Sequence, residues 1–191
     1  MAEKNNIFVC FSADQFSYYA DQKSTVVVVD ILRATTVIST AFLHGVKKII
    51  PVKSLDEALV YRDKEGYIVA AERNAKRIEG FDFGNSPFHY IDRDIVGKTL
   101  VLTTTNGTKS INNAKSHNVI TASYINLDAV ISYLTNNNKD IIILCSGWKG
   151  VFNLEDSIFA GALSMRLLDS GQFTSVCDSL FASIELFTTN F

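Results

Sequence analysis

Short runs of β-branched and other apolar residues recur at 25–30, 48–52, 67–71, 99–104, 118–122 and 140–145, each about the length of one buried strand. Adjacent as well as alternate residues are apolar, as in Val26-Val27-Val28-Val29 and Ile141-Ile142-Ile143-Leu144. Such runs predict strands of a sheet covered on both faces. Between and after them, apolar residues return at helical spacing over 34–44, 55–64, 108–115, 127–136 and 154–168. The alternation predicts an α/β fold with a mixed or mostly parallel sheet and helices on both faces. Residues 73–96 break the pattern: Gly80, Gly84 and Pro87 interrupt it and neither period holds, so a long structured loop is expected. No repeat, low-complexity tract or Pro/Gly-rich linker divides residues 1–191, and Asn136-Asn137-Asn138-Lys139 reads as a loop at a helix end. A single unit is expected.

Ligands of open α/β sheets sit beyond the carboxyl ends of strands, so the polar residues that follow each run are the first candidates for chemistry. After Val26–Val29 comes Asp30, with Arg33 three residues on. At that junction Asp30 can hold a divalent cation by an oxygen, and Arg33 can grip a phosphoryl group with its planar fork. The same spacing also fits a helix cap and a structural ion pair. Glu72 and Arg73 repeat the carboxylate and guanidinium theme after 67–71, with a solvated ion pair as the plain alternative. In Gly80-Phe81-Asp82-Phe83-Gly84-Asn85-Ser86-Pro87, the two phenylalanines are expected to pin the loop to the core and hold Asn85 and Ser86 in place.

Thr103-Thr104-Thr105-Asn106-Gly107-Thr108 leads from a strand into a helix start, where unpaired N–H groups and hydroxyls suit an oxyanion. Ordinary capping by Asn106 or Thr108 needs only one of these groups. Glu155 and Asp156 open the helix over 154–168, where they either satisfy its dipole or ligate a metal. Cys145 ends a strand and reads as a small core residue rather than a nucleophile.

Charge and composition narrow the field. With 18 Lys+Arg against 20 Asp+Glu the net charge is −2, so no global attraction to nucleic acid or anionic lipid is expected and any anion site is local. No apolar run approaches the roughly 20 residues that span a bilayer. The start Met1-Ala2-Glu3 does not read as a signal peptide, so a cytoplasmic location is expected. Cys10, Cys145 and Cys177 lack CxxC spacing, and His44, His89 and His117 lack a two-histidine metal spacing, which disfavours disulfide frameworks and zinc hydrolases. The P-loop, GxGxxG, the DxD phosphotransfer loop and a cysteine followed by a phosphate-binding arginine are all missing.

Five stretches, Val29-Asp30-Ile31-Leu32-Arg33-Ala34-Thr35-Thr36, Glu72-Arg73, Gly80 to Pro87, Thr103 to Thr108 and Leu154-Glu155-Asp156, stand in the order seen in 2-phosphosulfolactate phosphatases. From about 26 to about 168 the chain resembles that family. It departs in having Ala71 and Ala75 where the family has glycine, and in ending at Phe191, where the family commonly continues. The resemblance implies a fold distinct from the common phosphatases and a homodimer. It also implies Mg²⁺-dependent hydrolysis of 2-phospho-3-sulfolactate to 3-sulfolactate and phosphate, as in coenzyme M biosynthesis. On this reading Asp30, Glu72, Glu155 or Asp156 holds Mg²⁺, and Asp30, Arg33, Glu72 and Arg73 are catalytic. Asn85, Ser86, Thr103, Thr104, Thr105, Asn106, Gly107 and Thr108 contact a small anionic phosphate ester. Two alternatives stand beside it: action on another phosphorylated hydroxy acid, and a non-catalytic module that binds an oxyanion or assembles through Leu180, Phe181, Ile184, Leu186 and Phe187. That terminal segment is equally suited to pack on a partner chain or on its own core.

Overall fold

A computed structural model describes residues 4–19, 23–91 and 94–190. Its strands form two sheets rather than the one expected from the sequence. The first is parallel, in the order β7 (Asn118–Ala122), β2 (Thr25–Val29), β8 (Ile141–Cys145), β1 (Asn5–Cys10), β9 (Phe173–Thr174). The second runs β3 (Lys48–Pro51), β6 (Thr99–Thr103), β4 (Tyr67–Arg73), β5 (Lys76–Arg77), with only β5 antiparallel. The α/β fold with mostly parallel strands is as expected, and the division of its strands between two sheets has a simple origin. A doubly apolar run shows that both faces of a strand are covered, and says nothing about which strand lies beside it.

Each sheet is covered on both faces, as the runs require. On the first, Val27, Val29, Ile141 and Ile143 pack with Leu134 of α4 (Leu127–Asn137), Phe159 and Leu163 of α5 (Leu154–Asp169) and Leu180 of α6 (Asp178–Asn190). On its other face, Val26, Val28, Ile142 and Leu144 meet Phe16 of the 3-10 turn Ala13–Tyr18 and Ala114 at the end of α3 (Gly107–Asn113). The second sheet buries Ile68, Ala70, Leu100 and Leu102 under Val37, Ile38 and Ala41 of α1 (Ala34–Leu43). Its opposite face packs Val69, Ala71 and Val101 against Phe81 and Ala58 of α2 (Leu55–Leu59).

Strands β2 and β7 are neighbours in the first sheet, yet the whole second sheet lies between them in the chain. The chain therefore crosses between sheets twice, outward at 30–33 between β2 and α1, and back through α3 after 104–106. Ile111 of α3 packs into the core of both sheets and ties them together. The two crossings meet at Gly107. A Cβ there would overlap Ala34 Cβ and stand 2.6 Å from Asp30 Oδ2, so only glycine permits this approach.

Strands β1 and β9 and the full extent of α6 were not expected from the sequence. Leu180 is buried and Ile184 packs on the first core, and Gly161 of α5 lies directly under the Ser183 carbonyl. Packing on its own core thus accounts for these apolar residues of the terminal segment. The region 73–96 is largely irregular, as expected, apart from β5 and the 3-10 turn Pro87–His89. Residues 92–93 of that loop, and residues 1–3 on which the leader reading rests, lie outside the described residues. Among the described residues no helix is long and apolar enough to cross a membrane.

Candidate active site

Asp30 stands at the carboxyl end of β2 and is buried. Its backbone is locked by Thr35, whose hydroxyl donates to the Asp30 carbonyl at 2.9 Å and accepts the Asp30 N–H at 3.0 Å. Its carboxylate accepts the Ala34 N–H at 3.1 Å, and the backbone of Gly107, on the other crossing segment, also favours its charged form. Asp30 thus takes one N–H of the first turn of α1, although Arg33 is the residue at the N-cap, and the ion pair with Arg33 is not formed: among the described residues the three salt bridges lie elsewhere. Arg33 instead reaches the Ala75 carbonyl at 3.3 Å.

Glu72 comes from β4 of the other sheet and is also buried. Its carboxylate accepts the Ala75 N–H, the Thr105 N–H at 3.1 Å and the Thr105 hydroxyl at 3.0 Å. Asp30, Arg33, Glu72, Asn85 and Asn106 line one narrow cleft, walled by Leu32, Ala75 and Trp148. Asn85 Oδ1 is buried there with no hydrogen-bond partner among the described residues. Carboxylate and amide oxygens are the donors that a hard divalent cation takes. No three His, Cys, Asp or Glu side chains among the described residues form a metal group by themselves.

Asp156, at the start of α5, lies behind the cleft and is fully buried. One oxygen accepts the Ile31 N–H at 2.8 Å; the other accepts Asn153 Nδ2 at 3.0 Å and the Gly147 N–H at 3.3 Å. It thereby fixes the backbone just after Asp30. Glu155 is half-buried beside it, bonded to Asn153 Nδ2 at 3.1 Å, and is not in the cleft lining. Of the four carboxylates expected at a metal, the structure brings Asp30 and Glu72 to the cleft and sets the other two outside it.

The comparisons with known proteins fall on this same framework. A model of the 2-phosphosulpholactate phosphatase family matches residues 10–191. The chain belongs to that family. It is 47% identical over 163 residues to the probable 2-phosphosulfolactate phosphatase of Thermotoga petrophila, covering 84% of this chain and 71% of that protein. The protein of the same name from Clostridium acetobutylicum is 35% identical over 187 residues, covering 96% and 80% respectively. That of Clostridium perfringens is 41% identical over 167 residues, covering 84% and 68%.

In this family member the threonine-rich loop serves the carboxylates more than it offers free donors. Thr105 holds Glu72, and the backbone of Gly107 favours the charge on Asp30. Thr104 and Thr108 cap one another, with the Thr104 N–H to Thr108 Oγ1 and the Thr108 N–H to Thr104 Oγ1 both at 3.1 Å. Thr103 accepts a bond from Arg73 at 2.9 Å. Arg73 points away from Asp30, because neighbouring residues of a strand face opposite sides. Ser86 precedes the 3-10 turn Pro87–His89 and is outside the cleft lining. Asn106 lines the cleft and accepts the Lys149 N–H at 3.1 Å through Oδ1.

Two contributors escaped the sequence reading. Trp148, 42% exposed, walls the cleft from the loop after β8. Asn153 orients both acids of α5. Trp148 also follows the carboxyl end of a strand, the signal that singled out Asp30. Cys145 is a core residue, and burial raises its thiol pKa well above the ordinary value.

Burial, then the charge of Glu72, pushes the Asp30 carboxyl up to about 6. Burial, then the charge of Asp30, pushes Asp156 up to about 7. Both groups thus hold protons more tightly in the folded chain than when unfolded. Their contribution to stability is complete below the ordinary carboxyl value and is lost as pH rises through about 6 to 7. In EDTA, the melting temperature of wild type relative to Asp30→Asn is expected to fall between about pH 4 and about pH 7. Thermal melts across that range check it, and a constant difference would count against the assignment.

Proposed function

We propose that this chain is a Mg²⁺-dependent phosphatase that hydrolyses 2-phospho-3-sulfolactate to 3-sulfolactate and phosphate. The observation that carries the reading is Asp30, a buried carboxylate with no ion pair among the described residues, facing Glu72 and Arg33 in a cleft. An acidic site of this kind is costly by itself and is relieved by a cation. The names carried by the relatives support the substrate. The proposal extends to the coenzyme M pathway and a homodimer, both carried by the family resemblance, and to a cytoplasmic location.

Asp30 and Glu72, with the unpartnered oxygen of Asn85, would hold the ion. Bound Mg²⁺ supplies Lewis-acid stabilisation of charge on the phosphoryl oxygens. Arg33 reaches into the cleft with a guanidinium that, among the described residues, carries one long bond, to Ala75, which leaves N–H groups to bind phosphoryl oxygens. Thr105 and Ala75 hold Glu72 still, and Asp156 does the same for the backbone beside Asp30. Leu32 and Trp148 narrow the mouth and limit water around the ester. In the net reaction the ester P–O bond breaks and a P–O bond to water oxygen forms. One water proton ends on the sulfolactate hydroxyl and the other stays with phosphate.

The test is phosphate release from 2-phosphosulfolactate with Mg²⁺ and with EDTA. Turnover with Mg²⁺ that EDTA abolishes is expected. No release from this ester or from a panel of small phosphomonoesters, with EDTA making no difference, would overturn the reading. Arg33→Lys is expected to lower kcat/KM about 10- to 100-fold with the melting temperature unchanged, since a point charge cannot reproduce the paired donors of a guanidinium.

A further inference from the structure

Across Thr105 from the acidic cleft lies a second pocket of about 360 Å³. Its charged lining is wholly cationic: Lys53, Arg73 and Lys109. Arg73 is held in place at two points, with Nη1 donating to the Glu72 carbonyl at 2.6 Å and Nη2 to Thr103 Oγ1 at 2.9 Å. Lys109 is paired with Asp14, but Arg73 and Lys53 form no salt bridge among the described residues. The rest of the lining is hydroxyl and amide groups, including Thr105 and Asn112. A net positive cavity with neutral hydrogen-bonding walls, in a chain whose formal charge is −2, favours an anion by local potential alone. The Thr105 and Thr108 hydroxyls are donated to Glu72 and to the Thr104 carbonyl, so the donors for a small tetrahedral oxyanion are the ammonium and guanidinium N–H groups with the second amide N–H of Asn112 and of Asn113.

We propose that this basic pocket is a second oxyanion site, distinct from the acidic cleft, and that it takes a free small dianion of the inorganic phosphate class. The proposal does not rest on the catalytic reading, because no residue of the Asp30 cleft lines the pocket. It does reach that cleft mechanically. Thr105 lines the pocket and holds the Glu72 carboxylate, and Arg73 holds the Glu72 carbonyl, so an anion seated here bears on the residue that faces Asp30.

The experiment is calorimetric titration of inorganic phosphate, and separately sulfate, into the full chain in EDTA, where the cleft holds no divalent cation to recruit the anion. One site is expected in wild type. Lys53→Glu, an exposed charge reversal, is expected to weaken binding about tenfold or more, and Lys109→Gln provides a second, milder loss. The double variant Asp30→Asn with Arg33→Gln is expected to bind as wild type does. Thermal melts show that each variant is folded. Binding that disappears in the Asp30/Arg33 variant but survives both lysine changes would place the anion in the cleft and overturn the proposal, as would the lack of any binding to wild type.

Discussion

Replacing Asp30 by Asn is expected to lower turnover by roughly 10³-fold or more while the chain stays folded, as judged by kcat at saturating Mg²⁺ and by thermal melts. The amide keeps the shape and retains an oxygen for the Ala34 N–H. It removes the charge that Asp30 contributes to the cleft with Glu72. Because burial disfavours that charge in the folded chain, its loss is expected to cost little stability in EDTA at neutral pH and to weaken stabilisation by Mg²⁺. If Asp30 were a helix cap and nothing more, the variant would melt lower and turn over normally. Glu72 would then become the leading carboxylate, since it alone shares the cleft.

Gly107→Ala is the second large effect, and it separates packing from chemistry. The added Cβ would overlap Ala34 Cβ and stand 2.6 Å from Asp30 Oδ2, so either the start of α3 retreats or the carboxylate swings away. Overpacking of this kind costs about 1–3 kcal/mol, which in a chain of this size corresponds to a fall of several degrees in melting temperature. A displacement of Asp30 on the order of 1 Å is expected to lower kcat about 10²-fold besides. Adding Ala34→Gly relieves the first overlap but leaves the second. The double variant is therefore expected to recover part of its stability and little of its turnover. Full recovery of both would show that the meeting of the two crossings at Asp30 is a packing feature alone.

Much of the local structure was legible in the chain. Val26–Val29 and Ile141–Leu144 are apolar at every position, which requires cover on both faces, and the structure places helices or a 3-10 turn there. Asp30, Arg33, Glu72, Asn85 and Asn106 were all candidates because each follows a strand or sits in a loop pinned by aromatic residues, and all five line one cleft. Strand β1, whose apolar run Ile7–Phe11 follows the polar Asn5 and Asn6 close to the start of the chain, was not among the expected strands.

Sequence by itself determined that the fold is α/β, that strand ends carry carboxylates and guanidiniums, and that the motifs are those of the 2-phosphosulpholactate phosphatase family. The division of the strands between two sheets was decided only in three dimensions, because strand periodicity records burial and not the identity of the neighbour. The tertiary structure also sorted the site. Glu72 and Arg73 are adjacent in sequence but open onto different cavities, since a strand sends successive side chains to opposite sides. Glu155 and Asp156 likewise fit the pattern of metal ligands. Asp156 is nevertheless spent on the N–H groups of Ile31 and Gly147, bonds to segments 125 and 9 residues away that no local pattern in the chain announces.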